Sequence, residues 1–457
     1  MKLSINWGFL SIGVAILLQV VILVALGNFT AVSVPDSKTY QAFDTSSLAA
    51  ALSQMRTFGY PLFLKLVGDQ SYVPTAHFLA FVLANILFHI GLIQVGYNIW
   101  TATWCTIAML FGRAAIDQLM LIQADSLAIS LAIAATGCFL MFVSAARRPL
   151  SWLGLSLFTF LTYQVHPSYL FLIPLWPLAS WILDAFLLRR LASHREILQR
   201  TACVALLSIM PFLAFCTLRW CVVGHWGLVS FGGYNLVGVT GQFLDQRLAS
   251  ELPPRLQPLA TEMLQRRPTV GPATTPGDFL AMETMFNPTV WDLAVPIAEQ
   301  LSDRDPVRVN QLLNDLSREI IRRRPWLYGY WLIANANHAR QELMLLLAFD
   351  KGITLLLVAY MFMQFISLLG GRALPQPAPR PATDPQKKSI EADRFIELQL
   401  LLWLAVLFAA ARITLVILVE PAISRYMTGA MVLLPAAAAV WLPVPGVRFQ
   451  FTRNAVR

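Results

Sequence analysis

The amino-acid sequence predicts an all-α, polytopic membrane protein with about ten transmembrane helices, outer juxtamembrane amphipathic helices and one long outer loop. Three observations predict it. Apolar residues make up 57% of the chain and charged residues 13%. Apolar runs of about 18 residues or more recur along its length, each long enough to cross hydrocarbon, and in lipid such runs must be helical to satisfy their own backbone. The basic residues fall mainly between these runs, where they act as topology signals, so the net charge of +9 is not a nucleic-acid footprint.

The expected spans are 9–27, 76–98, 100–121, 124–145, 150–165, 168–188, 201–223, 342–368, 396–418 and 426–444. The first, from Phe9 to Gly27, is long for a signal peptide and reads as a retained helix. With the N-terminus in the cytoplasm, the inner ends carry Arg147 and Arg148, then Arg189, Arg190, Arg195 and Arg200. They continue with Arg372, Arg380, Lys387, Lys388 and Arg394, and end with Arg448, Arg453 and Arg457. "PQPAPRPATDPQKK", 375–388, is a Pro-rich flexible connector on that side. The chain therefore divides into a transmembrane module, 1–223, with its first outer loop at 28–75; an outer segment, 224–341; and C-terminal helices, 342–457, with the connector near 372–394. The five cysteines lie in or beside spans, with no metal or disulfide spacing.

The outer segments carry their own patterns. From Thr39 to Met55, Ala42, Phe43, Leu48, Ala49, Leu52 and Met55 recur at helical spacing, predicting an amphipathic helix on the membrane. Val309, Leu312, Leu313, Leu316, Ile320 and Ile321 form a second stripe. Pro325 is expected to end that helix, and Trp326, Tyr328, Tyr330 and Trp331 to form an interfacial belt. Residues 250–290, rich in Pro, Gly and Thr, read as loop.

Few residues can carry chemistry. Asp36, in "VSVPDSKTYQAF", stands where the first span exits, placed either to cap the following helix or to act as a base at the lipid–water boundary. Asp125, with Ser126, interrupts two apolar runs at their outer turn and fits a cap or a cleft acid. Arg113 and Asp117, at i and i+4, read as a pair that offsets the cost of an intramembrane charge, roughly 2.5–3.5 kcal/mol. In "MRTFGYPLFLKL", Gly59 and Pro61 fit a turn, and Arg56 and Lys65 stand at the interface. "VEPAISRYMTGAM" sets Glu420, Arg425 and Tyr426 in a late outer turn, where an arginine fork suits a phosphate. His166, His225 and His338 lie near outer span ends without metal-site spacing. There is no Gly-rich nucleotide loop and no nucleophile elbow.

The order of a first span, "PDSKTY", "RTFGYPLFL", "ADSLAISLAIAA" and "SRYMTGAMVLLP" resembles the GT-C superfamily of integral-membrane glycosyltransferases. Within it, the chain looks more like the branch that includes the dolichyl-phosphate-mannose protein mannosyltransferases and the bacterial lipid A aminoarabinose transferases. The likeness covers the first 180 residues and the last 40 or so. His166-Pro167 stands where that branch often has Arg-Pro. The resemblance implies a sugar donor on a polyprenyl phosphate, membrane lipids as surroundings, and a glycan, lipid or protein acceptor, with no cofactor, metal or nucleic acid. It implies a bacterial inner membrane with the site on the periplasmic or extracellular face. Asp36 would be the general base and Asp125 would orient a hydroxyl. Arg425, Tyr426 and Arg56 would hold the donor phosphate, and Tyr40, Tyr60, His166 and Glu420 would line the cleft. Two other readings fit the spans: a lipid or solute transporter or flippase, and an outer-face polysaccharide polymerase or ligase. The transferase reading requires Asp36, Asp125 and Arg425 to converge.

Overall fold

The structure is a computed structural model and describes residues 7–144, 149–188, 193–271, 278–369 and 385–441. The long apolar runs fold as helices that end where the chain supplies a breaker. α1, Trp7–Ala25, stops before Gly27, whose φ of +71° lies in the left-handed region. Two short helices, α2 (Ser37–Gln41) and α3 (Leu48–Ser53), precede α4 (Gly59–Val67) and the long α5 (Val73–Val95). Gly96, at φ +119°, closes α5 by donating its N–H to the Leu92 and Ile93 carbonyls. Next come α6 (Ile99–Leu110), α7 (Arg113–Ile116), α8 (Ala124–Val143) and α9 (Pro149–Val165). α10 (Leu172–Ile182) continues as a π turn over Leu183–Leu188, and α11 spans His194–Val223.

α8 is the centre of the bundle, buried on nearly every face between α5 and α9. It approaches α5 closely because Gly91 and Gly137 meet: a Cβ on Gly91 would stand 2.6 Å from the Gly137 carbonyl oxygen. Arg200 of α11 reaches the far end of α8, donating to the Phe142 carbonyl at 2.7 Å and pairing with Asp184.

After α11 the chain builds a second apolar core. Six helices follow: α12 (Gly232–Thr240), α13 (Gln246–Glu251), α14 (Gln257–Val270), α15 (Phe279–Thr284), α16 (Val295–Leu301) and α17 (Pro306–Arg323). With the π turn Pro288–Ala294 they enclose Val237, Phe243, Leu259, Met263, Leu313 and Ile320. The expected loop at 250–290 is thus largely helical. Its prolines had suggested breaks, but Pro258 and Pro288 sit in first turns, where a missing N–H costs nothing, and Pro268 is carried inside the last turns of α14. α17 carries the expected stripe, burying Val309, Leu313, Leu316 and Ile320.

Pro325 starts α18 (Pro325–Ala348) as well as following α17. Of the expected belt, Trp326 and Tyr330 are exposed, but Trp331 is buried against the second core and Tyr328 donates its hydroxyl to the Leu418 carbonyl. α19 (Lys351–Leu369), α20 (Pro385–Val419), α21 (Ser424–Thr428) and α22 (Leu434–Trp441) complete the fold.

Among the described residues there is no strand element, and six helices are long and apolar enough to cross a membrane. α18 and the first part of α19, bent by 45°, make a seventh if taken as one span. The bend falls at Asp350, whose Oδ1 accepts the Ile353 N–H and whose Oδ2 accepts that of Arg113. The expected spans 100–121 and 426–444 are occupied by shorter helices, and 150–165 by the 17-residue α9. The first of these stops at Leu110, before Gly112 and the Arg113–Asp117 ion pair.

The expected helix over 39–55 is broken. Asp44 Oδ1 accepts the Ser46 N–H and the Ser47 hydroxyl accepts that of Ala50, so this polar stretch turns the chain and recaps it as α3. The expected turn at Gly59 and Pro61 is instead the first turn of α4. Lys387, Lys388 and Arg394 lie on α20. Arg147, Arg148, Arg189, Arg190, Arg372, Arg380, Arg448, Arg453, Arg457 and connector residues 375–384 lie outside the described residues.

Candidate functional site

The site begins with a strap between the segment after α1 and the turn before α8. Val32 N–H donates to the Met120 carbonyl at 2.8 Å and Ile122 N–H donates back to Val32 at 2.9 Å, a single parallel bridge. Ser37 is buried and ties the strap: its hydroxyl accepts the Val34 N–H and donates to the Ile122 carbonyl at 2.7 Å. This brings Asp36, at the start of α2, beside Asp125, in the first turn of α8.

Neither aspartate spends its carboxylate on capping. Asp36 occupies the N-cap position in a helical conformation without a side-chain cap bond, and the N-cap of α8 is Gln123. Asp36 Oδ1 instead accepts Arg56 Nη2 at 2.8 Å, and Asp36 Oδ2 accepts Arg425 Nη2 at 2.8 Å. The same Arg425 nitrogen donates to Asp125 Oδ2 at 3.1 Å. Asp36, Asp125, Arg56 and Arg425 therefore form one cluster at the end of the bundle opposite Arg200.

Each arginine is held from behind. Arg56 Nε donates to the Thr39 hydroxyl at 3.2 Å, and its guanidinium lies 5.0 Å from the ring centroids of both Tyr40 and Phe231. Arg425 lies 5.8 Å from the Tyr426 ring and has a buried Nε with no partner among the described residues. Its turn is pinned by Asn335 of α18, which donates to the Glu420 carbonyl at 2.8 Å and accepts the Ala422 N–H at 2.8 Å. Glu420 receives a hydrogen bond from the Asn235 amide.

His166 stands on the other side of Asp125, its Nε2 3.6 Å from Asp125 Oδ1. The Ser168 N–H approaches His166 Nδ1 at 3.4 Å and its hydroxyl at 2.6 Å, so Nδ1 is the accepting nitrogen and Nε2 carries the proton. Arg412, fully buried in α20, donates to that hydroxyl and lies 4.6 Å from the Tyr169 ring centroid. A Cβ on Gly429 would stand 3.3 Å from Arg412 Nε, so the late turn closes directly over this third cation.

The two tyrosines differ. Tyr40 packs edge-on to Tyr60 at 4.9 Å and faces Arg56. Tyr60 is wholly buried, with its hydroxyl 3.4 Å from His77 Nε2, so it supports Tyr40 from beneath and does not line an open cleft. Lys65 is apart from the cluster, donating to the Thr45 hydroxyl.

Electrostatics set the protonation states. Burial alone would raise the Asp36 carboxyl, but the Arg56 and Arg425 guanidiniums outweigh it and hold it below the ordinary range. Burial opposes charge on Arg425, yet Asp125 and Asp36 raise it well above its usual value. Burial pushes the Tyr40 phenol up to about 12 and the Glu420 carboxyl above its ordinary value. Burial lowers the His166 imidazole to about 4, against the pull of Asp125, so it is neutral near pH 7.

Sequence reasoning missed Arg412, Ser168, Thr39, Phe231, Asn235 and Asn335. Only Arg412 had a legible signal: a charge inside the apolar run 396–418. No family model, curated protein or solved structure matches this chain.

Proposed function

We propose that the chain is an integral-membrane glycosyltransferase that moves a sugar from a polyprenyl-phosphate donor to an acceptor at the outer face of the membrane. The observation that carries this reading is the convergence of two carboxylates and two arginines, Asp36, Asp125, Arg56 and Arg425, from distant parts of the chain. Such a cluster offers both a base and a phosphate site. In this reading all ten expected segments cross the membrane, the shorter helices obliquely or in part, and the cluster faces outward because Arg200 marks the opposite end.

The ion pairs suggest how the site is gated. Without donor, both Asp36 oxygens are occupied by arginines and the carboxylate is a weak base. An arriving phosphate competes for Arg425 and Arg56, whose forks suit its oxygens. Asp36 is then free to take the acceptor's proton while the acceptor oxygen attacks the anomeric carbon. The bond from that carbon to the lipid phosphate breaks, and the phosphate leaves with the electron pair, its charge met by the two arginines. One base and a good leaving group favour a single displacement with inversion. Asp125, held by Arg425 and beside neutral His166, orients the acceptor.

The deciding experiment compares cell-envelope glycans and lipids by mass spectrometry in a deletion strain complemented with wild type or Asp36→Asn. One sugar should be missing from the deletion strain and restored by wild type alone. An unchanged envelope profile, or full restoration by Asp36→Asn, would sink the reading.

A further inference from the structure

A cavity of about 480 Å³ lies between the segment 225–232 and α17. That size falls within the usual range of small-molecule sites, roughly 300–1,000 Å³. His225, Trp226, Gly232, Gln311, Asn314 and Arg318 contribute to its lining.

The walls are built and held. Arg219, fully buried at the end of α11, donates to the Leu52 carbonyl at 2.8 Å, His225 Nδ1 at 2.6 Å and the Gly227 carbonyl at 3.2 Å, and also to the Ser230 hydroxyl. Gly224 and Gly227, at φ +72° and +136°, let the chain fold back over that guanidinium. On the opposite wall the Gly233 N–H donates to Asn310 Oδ1 at 2.8 Å, and a Cβ on Gly233 would stand 2.8 Å from the Asn314 backbone nitrogen.

Against these fixed walls the polar groups are unspent. Among the described residues the side chains of Gln311, Asn314 and Arg318 have no hydrogen-bond or ion-pair partner, and Trp226 is half exposed. Because His225 Nδ1 accepts from Arg219, its Nε2–H remains a donor. Asp315, also in the lining, is paired with Arg255 at 2.9 Å, which reduces its repulsion of other acids.

We infer that this cavity binds a saccharide and serves as the acceptor subsite, an inference that rests on the transferase reading above. An indole offers a flat apolar surface to the C–H face of a sugar ring. Two amides, an imidazole N–H and a guanidinium offer the mixed donors and acceptors that vicinal hydroxyls require. A lipid tail finds too much polar surface here. One wall of the cavity belongs to a segment whose neighbouring residues touch the cluster. Gly232 lines it, while Phe231 lies against Arg56 and Asn235 holds Glu420. In this proposal a glycan seated here extends past Phe231, which lies against Arg56, the partner of Asp36.

The test is saturation-transfer NMR on the whole protein in lipid nanodiscs, titrated with free glucose, galactose, N-acetylglucosamine, methyl mannoside, glucuronate and maltotriose. At least one sugar should bind saturably. Trp226→Ala and Asn314→Leu should each weaken it about tenfold or more, while Arg247→Ala, an exposed residue elsewhere in the second core unit, should leave it unchanged. No binding by any sugar of the set, or equal binding in Trp226→Ala, overturns the inference. Sugar binding at Trp226 in a protein that transfers no sugar would retain a saccharide site and remove the transferase reading. Transfer whose acceptor saturation ignores Trp226→Ala would do the reverse.

Discussion

Arg425 Nη2 donates to Asp36 Oδ2 at 2.8 Å across 389 positions of chain, so the turn after α20 closes on the turn after α1. The pair is partly withdrawn from water, with about 30% of each side chain exposed. Its attraction is therefore less screened than that of a surface ion pair.

Asp36→Asn is expected to lower sugar transfer about 10²–10⁴-fold, the usual contribution of a general base. The amide oxygen still accepts from one arginine, so membrane insertion and gel-filtration behaviour should be unchanged. A purified variant that transfers at the wild-type rate would remove Asp36 from its role.

Arg425→Ala should weaken use of the lipid-phosphate donor, read as a raised donor KM and a lower kcat/KM. It also leaves Asp125 without its nearest cation, at a cost of about 1–3 kcal/mol. Arg425→Lys should recover part of the donor affinity, because a point charge replaces the fork. An identical donor titration in Arg425→Ala takes this residue out of the site.

The pH dependence has two parts. Asp36 is held below its ordinary value, so its contribution to stability is full above the carboxylate range and is lost as pH falls through its folded value. Acid loss of activity through this base should begin only below about pH 4. His166 is lowered from about 6.5 to about 4, so its contribution is full above about pH 6.5 and is lost as pH falls toward 4. Melting temperatures from pH 8 to 4 should decline in that window, and His166→Gln should flatten the decline. Superimposable curves for wild type and His166→Gln would rule this out.

Ser37→Ala removes both hydroxyl bonds that tie the strap and leaves the Ile122 carbonyl and Val34 N–H without them, costing about 1–3 kcal/mol each at most. It should reduce transfer without changing donor affinity, because Arg425 and Arg56 stay in place. Crosslinking between cysteines at positions 36 and 125, measured in the Ser37→Ala background, would report whether the two loops separate.

Gly59→Ala should destabilise the protein by about 1–3 kcal/mol, because the new Cβ would stand 2.5 Å from the Gln164 carbonyl oxygen. Relief comes by moving α4 from the end of α9, next to His166. A variant with wild-type melting behaviour would show that this approach is looser than drawn.

Much of this fold is legible in the chain because hydrocarbon imposes one simple demand, a long apolar helix. The runs that became α1, α5, α8 and α11 are readable for that reason. The second core at 232–323 is not, because most of its helices are short and several begin with prolines that resemble breaks when read without their first-turn positions. The stripe of α17 was the one part of it with a clean period.

The sequence by itself determined the helical class, the apolar segments and the short list of charged residues, among them Asp36, Arg56, Asp125 and Arg425. Periodicity and charge are local properties, and they survive without a fold. Which charges meet was decided only in three dimensions. The strap through Ser37, the turn pinned by Asn335 and the buried Arg412 behind Ser168 each join residues far apart in the chain. Side-chain hydrogen bonds leave no period in a sequence, so the tertiary structure alone turned four separate charges into one site.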